Sequence, residues 1–258
     1  MKNLSWARSV LILATVLTLA GAAEAKTEVT WWGHAAFVIK TPAGATIAVD
    51  PWLQNPSAPK DAAWPGAVDA IVITHGHFDH VGNTAELAKK TGAQVIGAFE
   101  LINLLGLGDK GVGVNVGGTV QVKDALIHWV EAVHSTGFSK DMKSPPQYAG
   151  PAMGVVIEIE DGPSLYHAGD TDVFSSMELI ASRYKPTVAL LPVGGHFTMD
   201  PSGAALAAKL LKVKTVIPMH FGTFPMLKGT PTELKAAIKK AKGTAQVLEF
   251  KPGETKSL

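Results

Sequence analysis

The sequence predicts an α/β fold, a four-layer αββα sandwich of two mixed sheets, on three observations. Short apolar runs recur along the chain, and several end in a polar residue where a loop begins. Each half opens with strand-rich hairpins and only then alternates strands with helices. No short-period repeat and no linker divides residues 26–258, which read as one domain.

The elements follow in order. Residues 28–32 and 35–40 read as strands, and the turn Thr41-Pro42-Ala43-Gly44 leads to a third that ends at Asp50. Residues 51–67 carry Pro51, Pro56, Pro59 and Pro65 and form a long loop, a feature often functional in compact domains. Residues 70–74 make a buried strand. Asn83 with Glu86 three residues on resembles a capping box, and Gly92 suits the end of a helix over about 84–91. A short strand follows at 94–98. Residues 106–118 are glycine-rich and precede strands at 119–122 and 125–133. The stretch 135–151, with Gly137, Pro145, Pro146, Gly150 and Pro151, is again a loop.

Strands 154–160, 164–167, 188–191 and 215–219 build the second half. Asp200-Pro201 opens one helix, with a good cap and proline in the first turn. Thr230-Pro231-Thr232-Glu233 opens another, on which Leu234, Ala237, Ile238 and Ala241 fall at helical spacing. Gly243 ends it, and 246–250 close the chain as a strand.

At 258 residues, 47% of them hydrophobic and 17% charged, the chain can bury a substantial core. Its first 25 residues are set apart. Lys2 and Arg8 precede or flank an almost unbroken apolar run over 10–20, and Ala23-Glu24-Ala25 gives a small-x-small site. The run is short for a membrane span, which needs about 20 residues, so it reads as a signal peptide cleaved after Ala25. The protein is then expected to be exported, periplasmic or secreted, without a stable membrane anchor. Cleavage leaves 21 of 23 basic and 21 of 22 acidic residues. That balance argues against nucleic acid as a general partner. With no cysteine, disulfides, thiolate metal sites and cysteine nucleophiles are excluded.

The chemistry concentrates in Thr74-His75-Gly76-His77-Phe78-Asp79-His80, directly after the apolar strand. Other strands lead to His134, Asp170, His196 and His220, so strand ends on one edge would converge. Imidazole nitrogens with carboxylate oxygens suit zinc, and also manganese or iron. Gly76 lets the backbone turn and aim His75 and His77 at one ion. Asp79 and His80 can face a neighbouring ion, and Asp170 can bridge the two.

These phrases resemble the metallo-β-lactamase superfamily, in particular its metal-dependent hydrolases similar to ascorbate-6-phosphate lactonase and N-acylphosphatidylethanolamine phospholipase D. Besides the histidine motif, the resemblance rests on Trp32-Gly33-His34-Ala35, Asp50-Pro51-Trp52, the run from Tyr166 to Thr171, the run from Leu191 to Met199, and Ile217-Pro218-Met219-His220. It covers nearly all of residues 28–254. It implies that His75, His77 and His134 hold one divalent ion, Asp79, His80 and His220 a second, and Asp170 bridges. A metal-bridged water would attack a phosphorus or carbonyl centre of a small-molecule ester, lactone or phosphodiester, with Asp79 orienting it. His34 and His196 would contact substrate or protonate the leaving group. Two other functions compete: a metal-binding protein without turnover, and a β-lactam hydrolase.

Other features take structural readings. His167 is expected to support Asp170 rather than bind metal, and His128 to be structural or on the surface. Trp31, Trp32, Trp52 and Trp64 are core by default, although Trp52 and Trp64 could line a pocket mouth. Gly106-Leu107-Gly108-Asp109-Lys110-Gly111 matches a dinucleotide fingerprint in the wrong context, after a helix-like stretch and before a strand. Ser57-Ala58-Pro59-Lys60 and Lys90-Thr91-Gly92 match serine β-lactamase signatures, but prolines around Ser57 forbid the helix start that chemistry needs.

Overall fold

Two seven-stranded sheets, each half antiparallel and half parallel, carry the chain in a computed structural model that describes residues 26–258 apart from Ala62 and Trp64. The leader expected over residues 1–25 and the reading of Trp64 lie outside the described residues. In the first sheet, β1 (Glu28–Trp31), β2 (Phe37–Lys40) and β3 (Thr46–Val49) pair antiparallel. From β3 the sheet continues in parallel through β4 (Ala70–Val72), β5 (Gln94–Ala98) and β6 (Gly111–Val114). The second sheet repeats the scheme. There β7 (Thr119–Val122), β8 (Ala125–Glu131), β9 (Met153–Ile159) and β10 (Ser164–His167) are antiparallel. They are followed in parallel by β11 (Val188–Pro192), β12 (Thr215–Met219) and β13 (Gln246–Val247).

Burial explains the strand sequences. β4 and β11 are buried along their whole length, as strands covered on both faces must be, whereas β1 alternates. Phe37, Trp129 and Tyr166 are among the largest fully buried side chains of one continuous core drawn from both sheets. Outside the first sheet, α2 (Thr84–Thr91) and α3 (Phe99–Leu105) pack on β5, and α3 also on β6. Across the second, α5 (Pro201–Leu211) packs on β11, with α4 (Met177–Tyr184) and α6 (Pro231–Lys240) against it. This is the predicted αββα sandwich.

Three local expectations need correction. Asn83 does not cap α2; its Oδ1 accepts from the Gln54 backbone N–H at 3.1 Å and so ties down the long loop. Helix α3 falls on the helix-like stretch before Gly106, whereas α4 has no counterpart among the expected elements: Ser176 stands at its N-cap position but makes no side-chain cap bond. The strand expected over 246–250 shrinks to β13, and a final strand, β14 (Thr255–Ser257), returns to pair with β1. The stretch 135–151 is a loop as expected, drawn into a narrow ribbon where Phe138 and Gln147 exchange two backbone hydrogen bonds of 2.9 Å. The caps expected for the later helices are present. Asp200 accepts from Gly203 N at 2.8 Å, and Thr230 accepts from Glu233 N at 3.2 Å.

Candidate metal centre

Parallel strands of a sheet end at one edge, and loops leaving that edge are where α/β sheets place their sites. In the first half, β3 ends at Asp50, which is fully buried and held at φ 46°. Its carboxylate accepts from Thr74 N at 2.8 Å, Thr74 Oγ1 at 2.7 Å and His80 Nδ1 at 2.7 Å. Because the Thr74 hydroxyl proton is committed to Asp50, its oxygen accepts from His75 Nδ1 at 3.1 Å. These contacts leave the Nε2 atoms of His75 and His80 pointing into the site. His77 and the one-turn helix α1 (Phe78–Val81), which carries Asp79 and His80, complete this wall.

Gly76 is needed for a different reason from the one the sequence suggested. Its backbone φ is not positive; a Cβ there would lie 2.5 Å from the Ala149 Cβ on the ribbon. The ribbon segment also accepts the Gly76 N–H at Thr136 Oγ1, 3.1 Å away, and so is pinned over the motif.

The second half supplies single residues from separate strand ends. Asp170 follows β10 after Gly169, whose φ is 61° and where a Cβ would meet Thr74 and the Met153 carbonyl at 2.9 Å. His134 comes after β8, and His220 ends β12 at φ 55°. Asp170 Oδ1 lies 3.2 Å from His80 Nε2. Its Oδ2 lies 3.1 Å from His220 Nε2 and 3.5 Å from His134 Nε2. His75, His77 and His134 offer ligand atoms all within 4.8 Å of one another, as do His34, Asp79, His80 and His220, and also His75, His80 and Asp170.

Charge and burial suit metal ions. His80 Nε2, Asp170 Oδ1 and His220 Nε2 are buried without a hydrogen-bond partner, although they crowd within 3.2 Å of one another's residues. Orphaned buried polar atoms aimed at a common point are what a cation would satisfy. Burial lowers the pKa of His75, His77 and His134, leaving neutral rings with lone pairs to offer. Burial opposes ionisation of Asp170, but His220 and His80 outweigh it and hold its pKa well below the usual carboxylate range. Burial also opposes a charge on His80, yet Asp170 and Asp50 raise its pKa well above the ordinary imidazole value.

All seven ligands expected from the sequence therefore come together, and His34 joins them. It is fully buried, with Nε2 3.0 Å from Asp79 Oδ2 and Nδ1 3.0 Å from Thr223 Oγ1. Its carbonyl accepts from Trp31 Nε1 and from His220 N, both at 3.0 Å, which stitches the two sheets together. His196 stays apart: it is exposed after β11, its ring against Phe197, with no hydrogen bond or ion pair to the cluster. His167 sits as a support, donating from Nε2 to the Ala35 carbonyl at 3.1 Å and accepting the Gly169 N–H at Nδ1. His128 binds Glu158 and Thr119 on the outer face of β8. Sequence reasoning assigned no role to Asp50 or Thr223. Asp50 carried a signal, a carboxylate at a strand end like Asp170; Thr223 carried none.

Residues 28–220 match the Beta-lactamase superfamily domain. A UPF0173 metal-dependent hydrolase of Myxococcus xanthus is 63% identical over 240 residues, spanning 93% of this chain and 86% of its own. The chain belongs to this family of metal-dependent hydrolases. A UPF0173 relative from an Anaeromyxobacter species is 48% identical over 90% of this chain and 87% of its own. Among solved structures, the metallo hydrolase Igni18 of the archaeon Ignicoccus hospitalis superposes with a TM-score of 0.78 at 37% identity, covering 90% of this chain and 98% of its own. The metallo-β-lactamase fold and membership of a family of metal-dependent hydrolases thus stand together with a His/Asp cluster able to hold metal.

Proposed function

We propose that this family member is an exported hydrolase that cleaves an ester bond, in a carboxylic ester, lactone or phosphodiester, at a centre for two divalent ions. The observation that carries the proposal is the convergence of His80 Nε2, Asp170 Oδ1 and His220 Nε2, buried and unpartnered, between two sets of ligands. His75, His77 and His134 would hold one ion and Asp79, His80 and His220 the other, with Asp170 touching ligands of both sets. Such ions, zinc or alternatively manganese or iron, supply Lewis acidity toward the attacked oxygen and lower the pKa of water.

The chain's own groups do the positioning. Asp79 has a pKa of about 2: burial opposes its ionisation, but the hydrogen bond from His34 and the positive charge of His80 outweigh it. It is therefore an acceptor at neutral pH, able to orient an attacking water. His34 has its pKa lowered to about 4, chiefly by burial, and is neutral. Its Nε2–H donates to Asp79, so its Nδ1 accepts the Thr223 hydroxyl proton. Both nitrogens being engaged and the ring fully buried, His34 is assigned to holding Asp79 rather than to protonating a leaving group. His196, open to solvent on the same edge, is assigned to substrate contact. In the reaction, water adds to the acyl carbon or phosphorus, the bond to the leaving oxygen breaks, and a water proton ends on the leaving group.

Metal analysis of the mature protein should find close to two ions per chain, with activity on an ester panel lost to chelator and restored by zinc. Two ions with no turnover on carboxylic ester, lactone or phosphodiester would favour a binding protein. Turnover that survives complete metal removal would defeat the proposal.

A further inference from the structure

Ten large hydrophobic side chains are exposed among the described residues, and their distribution is uneven. Six of them, Phe78, Val133, Met142, Tyr148, Phe197 and Met226, lie on the connections after β4, β8, β11 and β12, the same connections that hold His75 to His80, His134, His196 and His220. Soluble chains seldom gather exposed apolar side chains without a binding role.

The best-defined part is an aromatic wall. Phe78 is 44% exposed and sits in the chain between His77 and Asp79. Its ring meets Trp52 edge-on at 5.5 Å, and Trp52 stacks on Phe224 at 6.0 Å. Both Trp52 and Phe224 also touch the His34 ring, at 5.4 and 5.8 Å, so the wall is continuous with the Asp79 side of the centre. Trp52 is fixed from behind, because a Cβ on Gly82 would fall 2.4 Å from its Cα. On the ribbon, Tyr148 is exposed and precedes Ala149, the residue packed on Gly76.

Arginine recognition of a phosphate is missing from the described part of this surround. The chain has only two arginines, Arg8 and Arg183, and Arg183 lies on α4 with its guanidinium 4.9 Å over the Tyr184 ring. The planar fork that suits phosphate oxygens is therefore absent from the described connections around the site. Lys140 and Lys143 on the ribbon and Lys228 after β12 are exposed.

We propose that the wall of Trp52, Phe78 and Phe224 binds the acyl or aryl part of the substrate, so that the substrate is an apolar carboxylic ester or lactone rather than a phosphoester. This inference rests on the hydrolase reading above and narrows it to one substrate class.

The test uses the zinc-loaded mature protein with p-nitrophenyl acetate, butyrate, hexanoate and octanoate, and with bis-p-nitrophenyl phosphate. The expected result is a rise in kcat/KM of about fourfold for each methylene that becomes buried, with the phosphodiester the poorest substrate. Phe78→Ser and Trp52→Ala should flatten that rise while metal analysis still finds the wild-type ion content. A flat series in the wild type, or a preference for the phosphodiester, would overturn the inference. Calorimetry with octanoate against acetate reads the wall without turnover. Tighter octanoate binding by a protein that cleaves nothing would defeat the hydrolase reading and leave the wall standing, whereas equal binding would defeat the wall.

Discussion

The two halves of the molecule share one pairing scheme, three antiparallel and three parallel strand contacts in each sheet, but they equip the site differently. The first half places His75, His77, Asp79 and His80 on one short segment and fixes two of the rings from behind, His75 through Thr74 and His80 through Asp50. The second half sends His134, Asp170 and His220 from three separate strand ends. His134 makes no hydrogen bond, and both ring nitrogens of His220 are buried without a partner. One half is thus organised in advance, and the other depends on what it binds. Ligands oriented by a second layer of hydrogen bonds raise metal affinity, so the first half should carry the preorganisation and Asp170 the junction.

Breaking the junction should have the largest effect. Asp170→Ala removes the carboxylate that, alone among the described residues, touches His80, His134 and His220 together. Loss of a supporting partner commonly costs about 10–100-fold in metal affinity or activity, so loss of this shared ligand should exceed about 100-fold in activity. Metal analysis should then show depletion of both ions. A variant that keeps two ions and near-normal turnover would sink the bridging assignment.

Next in size is the support itself. Asp50→Ala leaves the Thr74 N–H, the Thr74 hydroxyl and His80 Nδ1 without their acceptor. Metal affinity should fall by about 10–100-fold although no proposed ligand has been touched. Competition with a calibrated chelator measures it, and wild-type affinity in this variant would mean that the first half is no better organised than the second.

The same contrast governs how much could be read in advance. The first-half ligands are contiguous, so the spacing His-x-His-x-Asp-His announces them. His134, Asp170 and His220 are isolated in sequence and became legible only because polar residues at several strand ends, and the resemblance, pointed to one edge. The alternation of hairpins with strand–helix units made the two sheets legible too. What stayed hidden depends on contacts between distant segments. Asp50 acts through His80, 30 residues away, and Thr223 through His34, 189 residues away. Helix α3 opens on Ala98 rather than on a capping residue, Ser176 at the start of α4 makes no cap bond, and β14 pairs across the full length of the chain with β1.

A smaller effect should come from the seam between the halves. Gly76→Ala would drive a methyl against Ala149 on the ribbon that leads from His134. Overpacking of this kind costs about 1–3 kcal/mol. Because His134 belongs to one ligand set only, the ion held by His75, His77 and His134 should be lost first, leaving close to one per chain. The double variant Gly76→Ala with Ala149→Gly should recover the second ion, since residues in contact couple. Recovery of neither stability nor metal would mean that Gly76 serves some need other than room for the ribbon.

The smallest effect separates folding from chemistry by comparing helix starts in the two halves. In the second half Asp200 truly caps α5, accepting from Gly203 N at 2.8 Å, while in the first half Asn83 gives its oxygen to Gln54 and leaves α2 uncapped. Asp200→Ala should therefore destabilise the protein by about 1 kcal/mol, seen as a fall of roughly 2–4 °C in melting temperature. Asn83→Ala breaks only an exposed contact to a loop and should stay within about 0.5 kcal/mol. Neither residue touches the ligand cluster, so ion content should be unchanged in both. Equal melting shifts would show that the oxygen of Asn83 stabilises the fold through the 51–67 loop as much as a true cap does through a helix.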